Sequence, residues 1–155
     1  MEKHGCTTGH IDASPDEVFD LISSVDRLPE WNACIAKVLE GRTGLDEGAQ
    51  RVIEMNVHGM RWPSRSTLIE CDRAARRYTY RSQSDDGNPS FALWTWELSP
   101  ADGGGTDVTV RWNFNPRTFW RKAIFVRIRN RQSRHETHAS MGALQAVLAH
   151  RVRPG

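Results

Sequence analysis

At 155 residues the chain is long enough to bury one full core, and no linker-like stretch divides it, so a single domain over 1–155 is expected. A hydrophobic content of 38%, six Trp and a formal net charge of +2 suit a globular chain, and no run approaches the ~18 apolar residues of a membrane span. Cys6, Cys34 and Cys71 are odd in number and far apart, with no Cys-x-x-Cys pair, and Met1-Glu2-Lys3-His4-Gly5 has no apolar signal core; these features argue against a disulfide framework or zinc site and lead us to expect a cytoplasmic protein.

In chain order, a first strand is predicted over Cys6 to Asp12. Ser14 then caps a helix, Pro15 fits its first turn, and Glu17, three residues after the cap, completes a capping box. Val18, Phe19, Leu21 and Ile22 give that helix one apolar face, and Asp26 is expected to cap a second short turn carrying Leu28 and Trp31. Strands follow over Cys34 to Glu40, Gln50 to His58, Met60 to Cys71 and Arg77 to Gln83, with a turn at Asp72 to Arg76 and a loop at Asp85 to Pro89. In the sixth strand Trp94, Trp96 and Leu98 share a face. In the seventh, Val108, Val110, Trp112 and Phe114 alternate with Asp107, Thr109, Arg111 and Asn113, the pattern of an antiparallel sheet with one wet face. Asp102 to Gly105 forms the hairpin between them; the glycines lead into a strand, not a helix, so they do not read as a phosphate loop.

From Thr118 to about His150 a helix of about 50 Å is predicted. Met141, Leu144 and Leu148 would pack it on the sheet. Its first half interleaves Phe119, Trp120, Ile124, Phe125 and Ile128 with Arg121, Lys122, Arg127, Arg129, Arg131 and Arg134. Residues 117–155 hold nine Lys/Arg against one acid, Glu136, while the preceding 116 residues are net acidic.

The resulting order, β-α-α-β6-α, with its capped helix, short turn and Trp31, resembles the START-like (SRPBCC) superfamily, which includes polyketide cyclase/dehydrases, lipid-transfer domains and pollen-allergen-type binders. The resemblance implies an α+β helix-grip fold, a seven-stranded antiparallel sheet curved around a long C-terminal helix, with two short helices plugging the gap between strands one and two. It also implies an internal cavity for a hydrophobic small molecule. The closest strings are those of bacterial aromatase/cyclases: Trp62-Pro63-Ser64, Leu93-Trp94-Thr95-Trp96 and Gly104-Gly105-Thr106 are similar to theirs. Where those enzymes carry an Arg two residues after the Ser, this chain has Ser66, with Arg65 on the other parity; where they carry a helix amide it has Arg134, with Asn130 a turn away.

Strand parity and helix position give an expected ligand-binding set of Met55, Trp62, Ser64, Ser66, Tyr80, Trp94, Trp96, Trp112, Arg127, Asn130, Arg134 and His138. The alternative for each Trp is that it fills the core. Ser64, His58 and Arg134 are the candidate catalytic groups, His58 because an imidazole at a pocket mouth titrates near neutral pH. His135 and His138 have metal-compatible spacing but no third ligand, so no metal and no cofactor are expected. The expected function is binding of a polyketide, aromatic or lipid-like molecule, with polyketide aromatase/cyclase or dehydratase activity as the alternative and a membrane-associated lipid carrier as the third reading. For that third reading, residues 119–134 would touch an anionic membrane. The favoured reading of this half-helix is a pocket lid, its apolar side inward and its arginines in water, and a homodimer through the apolar half-helix stays open. Without a recognised module, nucleic acid is not an expected partner.

Overall fold

A computed structural model describes residues 4–41, 46–84, 87, 89–117 and 126–152. Its elements are β1 (His4–Ile11), α1 (Pro15–Ser23), a 3-10 turn (Val25–Arg27), α2 (Leu28–Trp31), β2 (Ile35–Glu40), β3 (Gln50–Val57), β4 (Met60–Asp72), β5 (Arg77–Ser84), β6 (Phe91–Pro100), β7 (Thr106–Asn115) and α3 (Val126–Val152). The seven strands form one antiparallel sheet in the order β1-β7-β6-β5-β4-β3-β2. Consecutive strands from β2 to β7 are neighbours, so only the passage from β1 to β2 crosses the sheet, and α1 and α2 make it.

The capping box forms as its residues require: Glu17 N–H donates to Ser14 Oγ at 3.2 Å, and Ser14 N–H donates to Glu17 Oε2 at 2.9 Å. Val18, Phe19, Leu21 and Ile22 then point into the core. The second turn differs from expectation. Asp26 lies inside the 3-10 turn, and no side-chain hydrogen bond caps either that turn or α2; Pro29 in the first turn of α2, with Leu28 and Trp31 buried, holds the segment by packing.

Two glycines on β1 leave room for side chains packed over them, Met141 of α3 at Gly9 and Trp112 of β7 at Gly5. A Cβ at Gly9 would stand 2.4 Å from Met141 Sδ, and one at Gly5 would stand 2.3 Å from Cζ2 of Trp112. The Trp112 ring and the Met141 side chain therefore use space that a side chain at these positions would occupy. Met141, Leu144 and Leu148 are buried against the sheet as their spacing predicts. Polar bonds add to this seam: Thr137 Oγ1 to Thr7 Oγ1 at 2.9 Å, and Ala33 N–H to Ser140 Oγ at 3.2 Å. The described helix begins at Val126; residues 118–125 of the predicted long helix lie outside the described residues. Among the described residues, no helix is long and apolar enough to cross a membrane.

Candidate functional site

Between the inner face of the sheet and one side of α3 lies a cavity of about 500 Å³, within the range used by small ligands. Because side chains alternate along each strand, one parity of β3 to β7 supplies most of the sheet wall, with Pro63, Gln83, Phe91 and Asn115 reaching it from the other. Register stacks these residues across the sheet, pairing Met55 with Trp62, Ser64 with Ser84, and Tyr80 with Trp94. The rings brace each other: Trp94 lies 5.6 Å from Trp112 and 6.4 Å from Phe114, and Trp96 meets Trp31 of α2 edge-on at 5.3 Å.

The sheet wall also carries hydroxyls. Ser64 Oγ shares a 3.0 Å hydrogen bond with Ser82 Oγ and donates to the Gln83 carbonyl at 3.2 Å. Burial holds the Tyr80 phenol above the ordinary tyrosine range, although Trp96 donates to it, so it stays a neutral donor. The opposite wall comes from Ile128, Arg129, Gln132, Glu136, Thr137 and Ser140 of α3, and the α2–β2 corner adds Asn32, Cys34 and Ile35. Met60 and Ile128 line the cavity yet are 65% and 52% exposed, which marks its mouth between the β3–β4 turn and the start of α3.

Met55, Trp62, Ser64, Tyr80, Trp94 and Trp96 are brought together around this cavity. The other expected residues with described side chains sit elsewhere. Ser66 is buried beyond the cavity wall, on the same strand face as Ser64 but further along β4. Trp112 is 2% exposed, and its Nε1–H donates at 2.7 Å to Oδ1 of Asn130, so both are committed to each other in the seam between β7 and α3. Arg134 and His138 are exposed and do not line the cavity, because five and nine residues of helix place them about 140° and 180° round from Arg129. Arg131 is exposed as well. The Arg127 side chain lies outside the described residues, as does 119–125 of the segment expected to contact a membrane.

His58 does not line the cavity either. It occupies a left-handed conformation, φ +52°, followed by Gly59 at φ +81°, which makes it the tip of the β3–β4 hairpin and leaves its imidazole in solvent. Arg65 keeps its outward parity and donates to Gln50 Oε1 at 3.3 Å, because the irregularity in the β4–β5 pairing falls later, between Leu68 and Glu70.

Sequence reasoning missed the polar end of the site. Arg129 Nη1 donates to Glu136 Oε1 at 3.2 Å and Oε2 at 3.4 Å, both side chains being largely buried. Burial and the neighbouring Glu136 carboxylate, to which its thiol donates, push Cys34 far above the usual thiol range. The available signal was that Glu136 is the lone acid among nine basic residues, two helical turns after Arg129 and so on the same face.

The family profile described as polyketide cyclase / dehydrase and lipid transport matches residues 6–148. A comparison with curated protein sequences finds no match. Among solved structures, the chain is similar to the Zhui aromatase/cyclase from a Streptomyces species, with TM-score 0.72 and 20% identity over 97% of this chain and 96% of that one. A protein from Thermus thermophilus superposes with TM-score 0.74 at 14% identity, over 97% of this chain and 99% of its own. The di-domain aromatase/cyclase BexL gives 0.69 at 20% identity over 94% of this chain, which spans 46% of BexL. At these identities the likeness is one of fold.

Proposed function

The chain belongs to the polyketide cyclase/dehydrase and lipid transport family, and on that premise we propose that it binds a hydrophobic small molecule, polyketide, aromatic or lipid-like, in the cavity between sheet and α3. The observation that carries this reading is a ring-lined hollow of about 500 Å³ with its own mouth, in the place where a chain of this length would otherwise be solidly packed. A flat guest would lie against Trp62, Tyr80, Trp94 and Trp96 and turn its polar end toward α3.

Titration with the neutral dye N-phenylnaphthylamine, whose emission rises in apolar surroundings, tests the reading directly. Saturable binding is expected in the wild type. In Ala92→Phe, where the added ring projects into the hollow, binding is expected to fall at least about tenfold with little change in melting temperature. Native mass spectrometry of protein purified from its own source would then show a bound mass. An absent dye signal, or one unmoved by A92F, sinks the reading.

A second reading, cyclisation or dehydration of a poly-β-keto chain, is favoured by one observation: the cavity contains ionisable and hydroxyl groups as well as rings, with Ser64 facing inward beside Ser82, and Arg129 opposite. In that case the protein would change the product profile of a polyketide-forming reaction, and Ser64→Ala would remove the change while dye binding persists. Turnover without such dependence would argue that the chemistry lies elsewhere.

A further inference from the structure

The polar end of the cavity is already electrically matched. Arg129 and Glu136 are the charged residues among the described side chains that line it, and each is largely buried, at 11% and 15% exposure. The guanidinium Nη1 is engaged by both carboxylate oxygens and, at 3.4 Å, by Gln132 Oε1. Cys34, in the turn just before β2, approaches the same carboxylate as a neutral thiol. Another buried cation, Arg51, does not line the cavity; its guanidinium carbon lies 5.8 Å from the centre of the Tyr78 ring, deeper in the core.

A guest carrying its own carboxylate would have to compete with Glu136 for Arg129 while losing its hydration and standing beside a like charge, all in a site where charge is poorly screened. A hydroxyl or ketone faces no such opposition. A hydroxyl can donate to the Glu136 oxygens, and either group can accept from guanidinium, amide or hydroxyl hydrogens of Arg129, Gln132 and Ser140 without disturbing the pair.

We propose that this cavity selects neutral guests, a flat apolar body ending in a hydroxyl, phenol or keto group, and discriminates against the same body ending in a carboxylate. The inference rests on the cavity-binding reading above and narrows its ligand class.

The test measures displacement of N-phenylnaphthylamine near neutral pH by naphthol and by naphthoate, which share a ring system and differ in charge. Naphthol is expected to displace the dye at least about tenfold better in the wild type. The decisive readout is how that ratio moves. Glu136→Gln leaves Arg129 without its carboxylate, so naphthoate should gain and the ratio should shrink or invert. Arg129→Gln leaves Glu136 unmatched, so naphthoate should weaken further and the ratio should grow. If one single variant melts below the assay temperature, the R129Q/E136Q double variant is compared with the other. Its ratio should exceed that of E136Q, because the attracting guanidinium is gone, or fall below that of R129Q, because the repelling carboxylate is gone. The opposite order overturns the proposal. Naphthoate binding as tightly as naphthol in the wild type, or a ratio that moves the same way in both single variants, overturns the proposal. Loss of dye binding by the folded wild type would instead remove the cavity-binding reading, and this inference with it.

Discussion

The commitment of Trp112 to Asn130 makes a sharp prediction, because both residues carry chemistry that the sequence could equally assign to a ligand. Trp112→Phe removes the donor of a buried 2.7 Å hydrogen bond and leaves Asn130 Oδ1 without that partner. An orphaned buried acceptor costs about 1–3 kcal/mol. Shrinking a side chain that is 2% exposed removes roughly 40 Å² of buried ring surface, about 1 kcal/mol at ~25 cal/mol per Å². The expected loss is therefore about 2–4 kcal/mol, a fall in melting temperature of roughly 5–15 °C for a chain of this size. Asn130→Leu strands the indole N–H instead and should cost about 1–3 kcal/mol. In the double variant neither group is stranded, so its cost should fall short of the sum of the two single costs by about 1–2 kcal/mol. Urea unfolding followed by circular dichroism gives the cycle, and dye titration of the same proteins should show affinity within about twofold of wild type. Additive costs accompanied by lost dye binding would mean that the indole faces the guest, refuting the structural role argued for it.

Other positions make independent claims. Gly5→Ala forces a Cβ to within 2.3 Å of the Trp112 ring and should cost about 1–3 kcal/mol, whereas Gly142→Ala, mid-helix with open space around its would-be Cβ, should stabilise by about 0.5–1 kcal/mol; thermal melts decide both. His10 bonds to Asp107 at 3.4 Å and to Asp12 at 3.0 Å, and these bonds raise its pKa above the ordinary 6.5. The folded protein thus holds that proton longer than the unfolded chain does, so the contribution is complete below 6.5 and disappears as pH climbs through the folded value. An NMR titration should find the His10 midpoint above 6.5 and moved downward in Asp107→Asn; an unmoved midpoint rejects the linkage. Exposed Cys6 should react with iodoacetamide in the native protein, while Cys34, buried and held as a thiol by burial and by Glu136, should react only on unfolding; mass spectrometry of the labelled peptides separates them.

The fold was legible because its signals are local and redundant. The capping box at Ser14 and Glu17 starts α1 where it is observed, and alternation in β6 and β7 assigns each side chain to a face before any coordinate is known. Parity, however, specifies a face and not a depth. Trp94 and Trp112 pair directly across β6 and β7, yet Trp94 lines the hollow while Trp112 lies in the seam, because Gly5 on the next strand leaves room for its ring. The helix was harder still. The buried side of α3 contains Asn130, Ser133, Thr137 and Ser140, so hydrophobicity does not reveal which way its first half is turned. Asn130, Thr137 and Ser140 find partners on β7, β1 and the segment before β2, far away in sequence, and only the assembled sheet makes their burial affordable. An expected face running through Asn130, Arg134 and His138 was consequently rotated from the observed one through Arg129, Gln132 and Glu136.

That rotation changes what the basic C-terminal region means. Read along the sequence, its excess of arginine suggests a cationic chamber suited to acids. In the folded chain Arg131 and Arg134 point to solvent, Arg117 is exposed, and Arg129, which does face inward, meets Glu136 two turns on. The described arginines of this region other than Arg129 therefore carry their charge on the outer surface, where salt screens it, and not in the lining, where screening is weak. An acidic molecule could be drawn toward such a surface and still find no uncompensated cation among the described lining residues. Attraction and selection are thus separate physical events here. The first depends on how many arginines the sequence contains, the second on a single helical phase that pairs one of them with the lone acid of its segment.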